Sequence, residues 1–321
     1  MLGVPIRGNQ SFQLSWPTPN KAFISGLGYH AFLEKTGPGK DFSSGAFGCV
    51  RNNGNKFHEG IDLSPVKSTK EGKPIDNVYA AMPGVVSHIN YKASTSAYGR
   101  YVVLEHNSFH PVLYSLYGHL DSIHPSVKLG DTIQVAGKLG QMGNTASFKI
   151  PLNRSHLHFE IGIRLSNKFQ NWYDRQPFTT QNHHGNFNGY NLVGFDPLHF
   201  YSSYQSLKFK SPQQYLNTLP VVLKIIVPTN ITPDIVLRNP SLASNYSPST
   251  KYSSWECWFG PYGIPLRFIP REKRLTVSTP KILSFDTSTE RNLCRSLVLE
   301  SKNRLQPSNL LNTFLEILFV R

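Results

Sequence analysis

The stretch from Val78 to Arg164 constrains the chain most. Short β-prone runs follow one another there, cut by turn residues. Runs 78–81 and 85–91 flank Pro83-Gly84. Tyr101–Glu105 and the run 112–120 come next, then 132–136 behind Gly130-Asp131, then 156–164. Strands of this length and spacing imply a mainly β fold, an antiparallel sheet or barrel-like sandwich, rather than βαβ units. The last run also alternates. His156, His158 and Glu160 share one face and Leu157, Phe159 and Ile161 the other, because strand side chains repeat with period two. One face is therefore apolar enough for a core, and two imidazoles converge on the other.

The 321 residues suggest two domains at about 150 residues each. Residues 1–50, rich in Gly, Ser, Asn and aromatics, read as a loop-rich extension. Residues 51–205 form the β domain, with a core at 55–165 and a long Asn- and aromatic-rich insert at 165–200, read as a loop. The texture changes near residue 205. A buried strand at 219–227, a hairpin-like region at 255–268 and an amphipathic helix at 310–319 read as a small C-terminal α+β domain, 206–321, of unknown role.

Hydrophobic residues at 39% and charged residues at 16% exclude a disordered polyelectrolyte. No run approaches the roughly 20 apolar residues of a membrane helix, and the N-terminal ten residues lack the basic and apolar regions of a signal peptide. The net charge is +14, with 18 basic against 12 acidic residues before position 205 and 15 against 7 after it. Nucleic acid, anionic lipid and anionic wall polymer all suit such a charge. No nucleic-acid-binding motif accompanies it, so no specific nucleic-acid partner is expected. Three cysteines, Cys49, Cys257 and Cys294, are too few for a disulfide framework or a multi-Cys zinc site. They leave room for one bridge, with Cys257 to Cys294 as the pairing considered.

Three segments carry chemistry: Phe57-His58-Glu59-Gly60-Ile61-Asp62, Tyr117-Gly118-His119-Leu120 and Ser155-His156-Leu157-His158-Phe159-Glu160. His58 and Asp62, four apart, fall on one side of a helix or strand. His-Glu at 58–59 is not a zincin motif, because Asp62 holds the place of its second histidine. A catalytic zinc site needs three protein ligands and one open position. His58, Asp62 and one histidine of the His-Leu-His pair supply three. The other histidine of the pair and His119 remain for proton transfer and oxyanion stabilisation.

In this order the three segments resemble the M23 family of zinc metallopeptidases, the LytM/lysostaphin-type peptidoglycan endopeptidases. AAMPGVVSHI, YVVLEHN and VKLGDTIQVAGKLGQMGNT between them are similar to the family's intervening text, and the resemblance covers about residues 40–165. It implies one Zn2+ per chain held by His58, Asp62 and His158. It implies His156 as general base, His119 as the second catalytic histidine, Tyr117 in packing and Glu160 orienting a ligand. The substrate implied is peptidoglycan, its peptide stems or cross-bridges, and so a cell-envelope location. Relatives cut either D-alanine–diaminopimelate cross-links or glycine bridges. The alternative is a non-catalytic LytM-like regulatory or wall-binding module, in which ligands are lost; here all five positions are present.

The sequence departs from the family in three places. Ala146 replaces a glycine, the loop 147–155 is longer and bulkier, and 67–75 is an insertion. Asn52-Asn53-Gly54-Asn55 reads as a polar turn, though in latent family members an asparagine covers the metal. His183 and His184 read as solvent-exposed, and His106 as structural or as support for a site residue. His30, His88, His110, His124 and His199 lack partners at useful spacing, and Trp172, Tyr173, Phe187 and Tyr190 read as packing residues.

Overall fold

The computed structural model describes residues 12–35, 41–273, 278–288, 293–301 and 304–321. The N-terminal ten residues, read above for a signal peptide, lie outside them. β1 (Gly48–Arg51) and β2 (Lys56–His58) form a hairpin, and β3 (Ile61–Leu63) follows at once. Next come β4 (Asn77–Tyr79), β5 (Gly84–Asn90), β6 (Tyr101–Glu105), β7 (Tyr114–Gly118), β8 (Ser122–Ile123), β9 (Thr132–Ile133), β10 (Lys138–Gln141) and β11 (Leu157–Arg164). The expected runs overlap β4, β5, β6, β7, β9 and β11. β7 is shorter than its run because His119 turns the chain with φ at 59°.

The main sheet is seven-stranded and antiparallel. Its order is β12-β11-β7-β6-β5-β9, with β12 at Leu192–Phe195 and β3 also on β11. It is an open sheet, not a closed barrel. Leu157, Phe159 and Ile161 of β11 are wholly buried in the main core beside Val102, Leu104 and Tyr117.

The insert at 165–200 is structured, contrary to the loop expected there. It holds the short helix α1 (Phe169–Tyr173), strand β12 and the start of α2 (Pro197–Gln205). Its asparagines do the folding. The buried Asn191 side chain accepts from Ser166 N at 2.9 Å and donates to Ser166 O at 2.7 Å and Asn186 O at 2.8 Å. The segment is thereby closed on itself, and β12 returns beside β11.

The C-terminal part contains α3 (Pro212–Thr218), β13 (Leu223–Val227), α4 (Asp234–Arg238), β14 (Ser254–Phe259), β15 (Pro265–Arg271), β16 (Lys281–Phe285), β17 (Val298–Ser301), β18 (Arg304–Pro307) and α5 (Asn309–Leu318). A sheet of order β15-β14-β13-β16 includes the expected buried strand and hairpin. Ser308 caps α5, which buries Leu311, Phe314, Leu315, Ile317 and Leu318. These apolar residues join the same core as the main sheet. Polar ties cross the junction: Asn239 Oδ1 accepts from Val112 N at 2.7 Å, and Trp172 Nε1 donates to Glu316 Oε2 at 2.9 Å. Among the described residues no helix is long and apolar enough to cross a membrane.

The disulfide joins Cys49 to Cys294, not Cys257 to Cys294. Cys257 sits in β14, a strand paired on both sides, and its thiol is wholly buried in the core. Cys49 and Cys294 bring their Cα atoms to 5.9 Å, within bridging range. Arg295 then lies over the Phe57 ring at 4.3 Å, so the C-terminal part touches the hairpin that bears His58.

His106 is fully buried. Its Nδ1 lies 2.9 Å from Pro83 O and its Nε2 2.9 Å from Ser115 Oγ, which is the structural one of the two roles open to it.

Two outcomes follow from these contacts. Under denaturing, non-reducing conditions one thiol per chain should react with an alkylating agent, and three after reduction; mass spectrometry counts them. Burial lowers the His106 pKa from 6.5 to about 4. Between those values only the unfolded chain takes up this proton, so stability falls as pH drops from 6.5 towards 4 and is unaffected by His106 above it. Replacing His106→Asn should flatten this slope by up to about 1.4 kcal/mol per pH unit, read from urea midpoints at pH 7, 6 and 5.

Candidate metal centre

Strand register assembles the site. His158 of β11 lies opposite Asp62 of β3 on one edge and opposite Gly118 of β7 on the other. His119 follows Gly118 directly, and His58 ends the β2 strand just before β3. Gly60 makes this approach possible, because a Cβ there would stand 2.3 Å from Phe159 O.

His58, Asp62 and His158 are buried and turn three ligand-type atoms on one point. His58 Nε2 is 3.1 Å from His158 Nδ1 and 3.2 Å from Asp62 Oδ1, and His158 Nδ1 is 3.0 Å from the same oxygen. The outer nitrogens show which protons are present. His58 Nδ1 lies 2.7 Å from Ala46 O, and His158 Nε2 lies 2.9 Å from Glu160 Oε1. Each outer nitrogen therefore donates, and three electron pairs are left facing one another. A cation or proton must sit among them. The spacing fits a tetrahedral ion, whose ligands at roughly 2.0–2.1 Å stand about 3.3 Å apart.

The titration shifts express the same demand. Burial alone would raise the Asp62 pKa, but His58, His156 and His158 hold it well below the usual carboxylate range. Burial opposes charging His158, yet hydrogen bonds to Asp62 and Glu160 raise its pKa to about 9. Burial lowers the His58 pKa, against the pull of Asp62.

Glu160, on the same β11 face as His158, is buried and also accepts from the Tyr114 hydroxyl at 2.9 Å. The expected pairing of Glu160 with a candidate ligand is present. Tyr117 lies on the core face, where its hydroxyl accepts from Ala81 N at 2.7 Å.

The remaining two histidines stand side by side, ring centroids 4.7 Å apart. His156 Nδ1 lies 2.7 Å from Arg154 O, and its Nε2 is 3.6 Å from Asp62 Oδ1. His119 Nδ1 lies 2.8 Å from Thr145 O. Both rings thus donate outwards to a carbonyl and point a bare Nε2 inwards. Burial lowers both pKa values, His119 well below normal with help from His156 and His158. The Thr145 carbonyl is held by close packing on Gly99, where φ is +65° and a Cβ would stand 2.0 Å from Thr145 O.

Sequence reasoning missed Arg51. Its Nη2 donates to Asp62 Oδ2, leaving Oδ1 to the histidines. The contact spans the turn 52–55, and no spacing rule signals it. That turn is the polar turn expected, with Asn52, Asn53 and Gly54 at positive φ. Arg51, not an asparagine, is the residue bonded to Asp62. The bulky 147–155 loop contributes Phe148, Lys149, Ile150 and Pro151 to the cleft over the site. His184 differs from its expected exposure, because its Nδ1 lies 2.7 Å from the Tyr101 hydroxyl and it is half-buried. Trp172 and Phe187 pack inside as expected, while Tyr190 is exposed.

Residues 56–171 match the family model described as Peptidase family M23. No curated protein matches the chain. Among solved structures, LytM of Ruminococcus gnavus, named a glycyl-glycine endopeptidase, is 23% identical. That match covers 33% of this chain and only 40% of that one, with a TM-score of 0.27. A mutant catalytic domain of the prophage-encoded M23 protein EnpA from Enterococcus faecalis is 22% identical over 40% of this chain and 79% of that one, TM-score 0.27. The catalytic domain of the antimicrobial peptidase lysostaphin from Staphylococcus simulans is 19% identical over 55% of this chain and 96% of that one, TM-score 0.31. The segment 56–171, which contains all five histidine and aspartate positions of the site, is thus recognised as an M23 peptidase segment.

Proposed function

We propose that the protein is a zinc-dependent endopeptidase that hydrolyses peptide cross-links of bacterial peptidoglycan, acting in the cell envelope where that substrate lies. The observation that carries this reading is the convergence of His58 Nε2, Asp62 Oδ1 and His158 Nδ1, each within 3.2 Å of the other two. Two nitrogens and one oxygen suit zinc. A zinc ion bound there supplies Lewis acidity to the amide carbonyl and makes water a usable nucleophile near neutral pH.

The chain's own residues do the rest. His156 Nε2 is bare at neutral pH, because Nδ1 holds the proton against Arg154 O and burial resists a second one. It is the base that takes a proton from the attacking water. His119 also has its proton on Nδ1, so it donates from Nε2 only after gaining another. The proton that His156 takes from the water goes on to the leaving amine. His119, once it carries a second proton, donates a hydrogen bond from Nε2 to the oxyanion. Glu160 orients His158, and Arg51 engages Asp62 Oδ2, so that Oδ1 is the oxygen that would hold an ion.

The variant His58→Ala should lose bound zinc and peptidoglycan hydrolysis together, measured by metal analysis and by mass spectrometry of released fragments. His156→Ala should keep one zinc per chain and lose at least about 100-fold in rate. Loss of the metal in His156→Ala with retention in His158→Ala would reverse the roles of the pair. Glu160→Gln should weaken zinc binding by about 10–100-fold, read by competition with a chelator. Full zinc occupancy without cleavage of any wall type would instead point to the non-catalytic module.

A further inference from the structure

The cleft above the triad is basic on both sides. Arg51, Lys56, Lys149 and Arg154 line it, and among the described residues Asp62 is its one lining carboxylate. That carboxylate is fully buried, with Arg51 on one oxygen and imidazoles on the other. Arg154 is engaged by the Lys35 carbonyl, to which its Nε donates at 3.1 Å. Lys56 and Lys149 differ from both. They are exposed, and among the described residues neither makes an ion pair. They also come from separate elements. Lys56 opens β2, on the side of the strand shared with His58 two residues on. Lys149 sits in the loop leading to His156, beside Phe148, which is 60% exposed.

We infer that this cleft selects peptides bearing free carboxylates beside the scissile amide, with Lys56 and Lys149 as specificity-determining residues. The inference rests on the peptidase reading above and deepens it. An uncharged oligoglycine segment offers these ammonium groups nothing. A stem peptide with free side-chain carboxylates pairs with them and offsets the positive charge that an ion adds to the cleft. Amidation of those carboxylates removes the partner with little change in shape. Since the lysines are exposed, each contributes modestly and is screened by salt.

The test uses the zinc-loaded full chain and three fluorescent synthetic peptides: a cross-linked stem peptide with free carboxylates, the same peptide with carboxamides, and pentaglycine amidated at its C-terminus. Binding is read by fluorescence anisotropy and cleavage by mass spectrometry. The carboxylate peptide should bind and be cleaved about tenfold better than its carboxamide at low salt, and the margin should shrink near 0.5 M salt, roughly where the Debye length falls to a few Å. Lys56→Gln and Lys149→Gln should each reduce the margin by about threefold, whereas Lys149→Arg should keep it. Equal handling of carboxylate and carboxamide peptides, or a preference for pentaglycine, overturns the inference. Salt-sensitive, carboxylate-selective binding without cleavage of any peptide supports the selectivity and overturns the peptidase reading instead. Absence of both binding and cleavage overturns the inference.

Discussion

The strand β11 and its register govern this molecule. Facing residues in an antiparallel pair share a face, so the pairing of His158 with Asp62 on one edge and with Gly118 on the other brings candidate ligands and His119 to one spot. A slip of one residue would send His158 and Glu160 into the core and Leu157, Phe159 and Ile161 into the cleft. Burial of those three apolar side chains holds the register. Apolar packing on one face of the strand thus positions polar atoms on the other.

Burying four histidines and two carboxylates is unfavourable unless each polar atom has a partner. The structure answers with one anchor per imidazole: Ala46 O for His58, Thr145 O for His119, Arg154 O for His156 and Glu160 for His158. Three of these are backbone carbonyls from loops. Each anchor selects the tautomer whose inner nitrogen is bare, and the triad of electron pairs arises from that choice. The loops are held in turn by close backbone contacts, such as that of Gly99 with Thr145. The C-terminal part adds support from behind, through the Cys49–Cys294 bridge and the Arg295 guanidinium over Phe57.

The strands of the main sheet were legible because period-two alternation and turn residues are local signals. The same alternation put His156, His158 and Glu160 on one face before any coordinates. The insert at 165–200 was not legible, since its order comes from the Asn191 side chain bonding to Ser166, 25 positions away. The cysteine pairing was not legible either. Both β14 and the segment at 293–295 offered a thiol, and only packing shows that Cys257 faces the core while Cys294 reaches β1. Arg51 escaped notice because its partner Asp62 is reached across a turn.

From the sequence alone came the residue types and their order: three histidine-bearing segments, an apolar stripe behind the last of them, and a basic surplus. These follow from local chemistry and periodicity. The tertiary structure decided which nitrogen of each ring faces inwards, which carboxylate oxygen is open, which cysteines bond and which lysines stand exposed at the cleft. Some of those outcomes rest on side-chain contacts 2 to 26 positions apart that no periodicity signals, and others on contacts 100 to 245 positions apart, and only the folded chain brings either kind together.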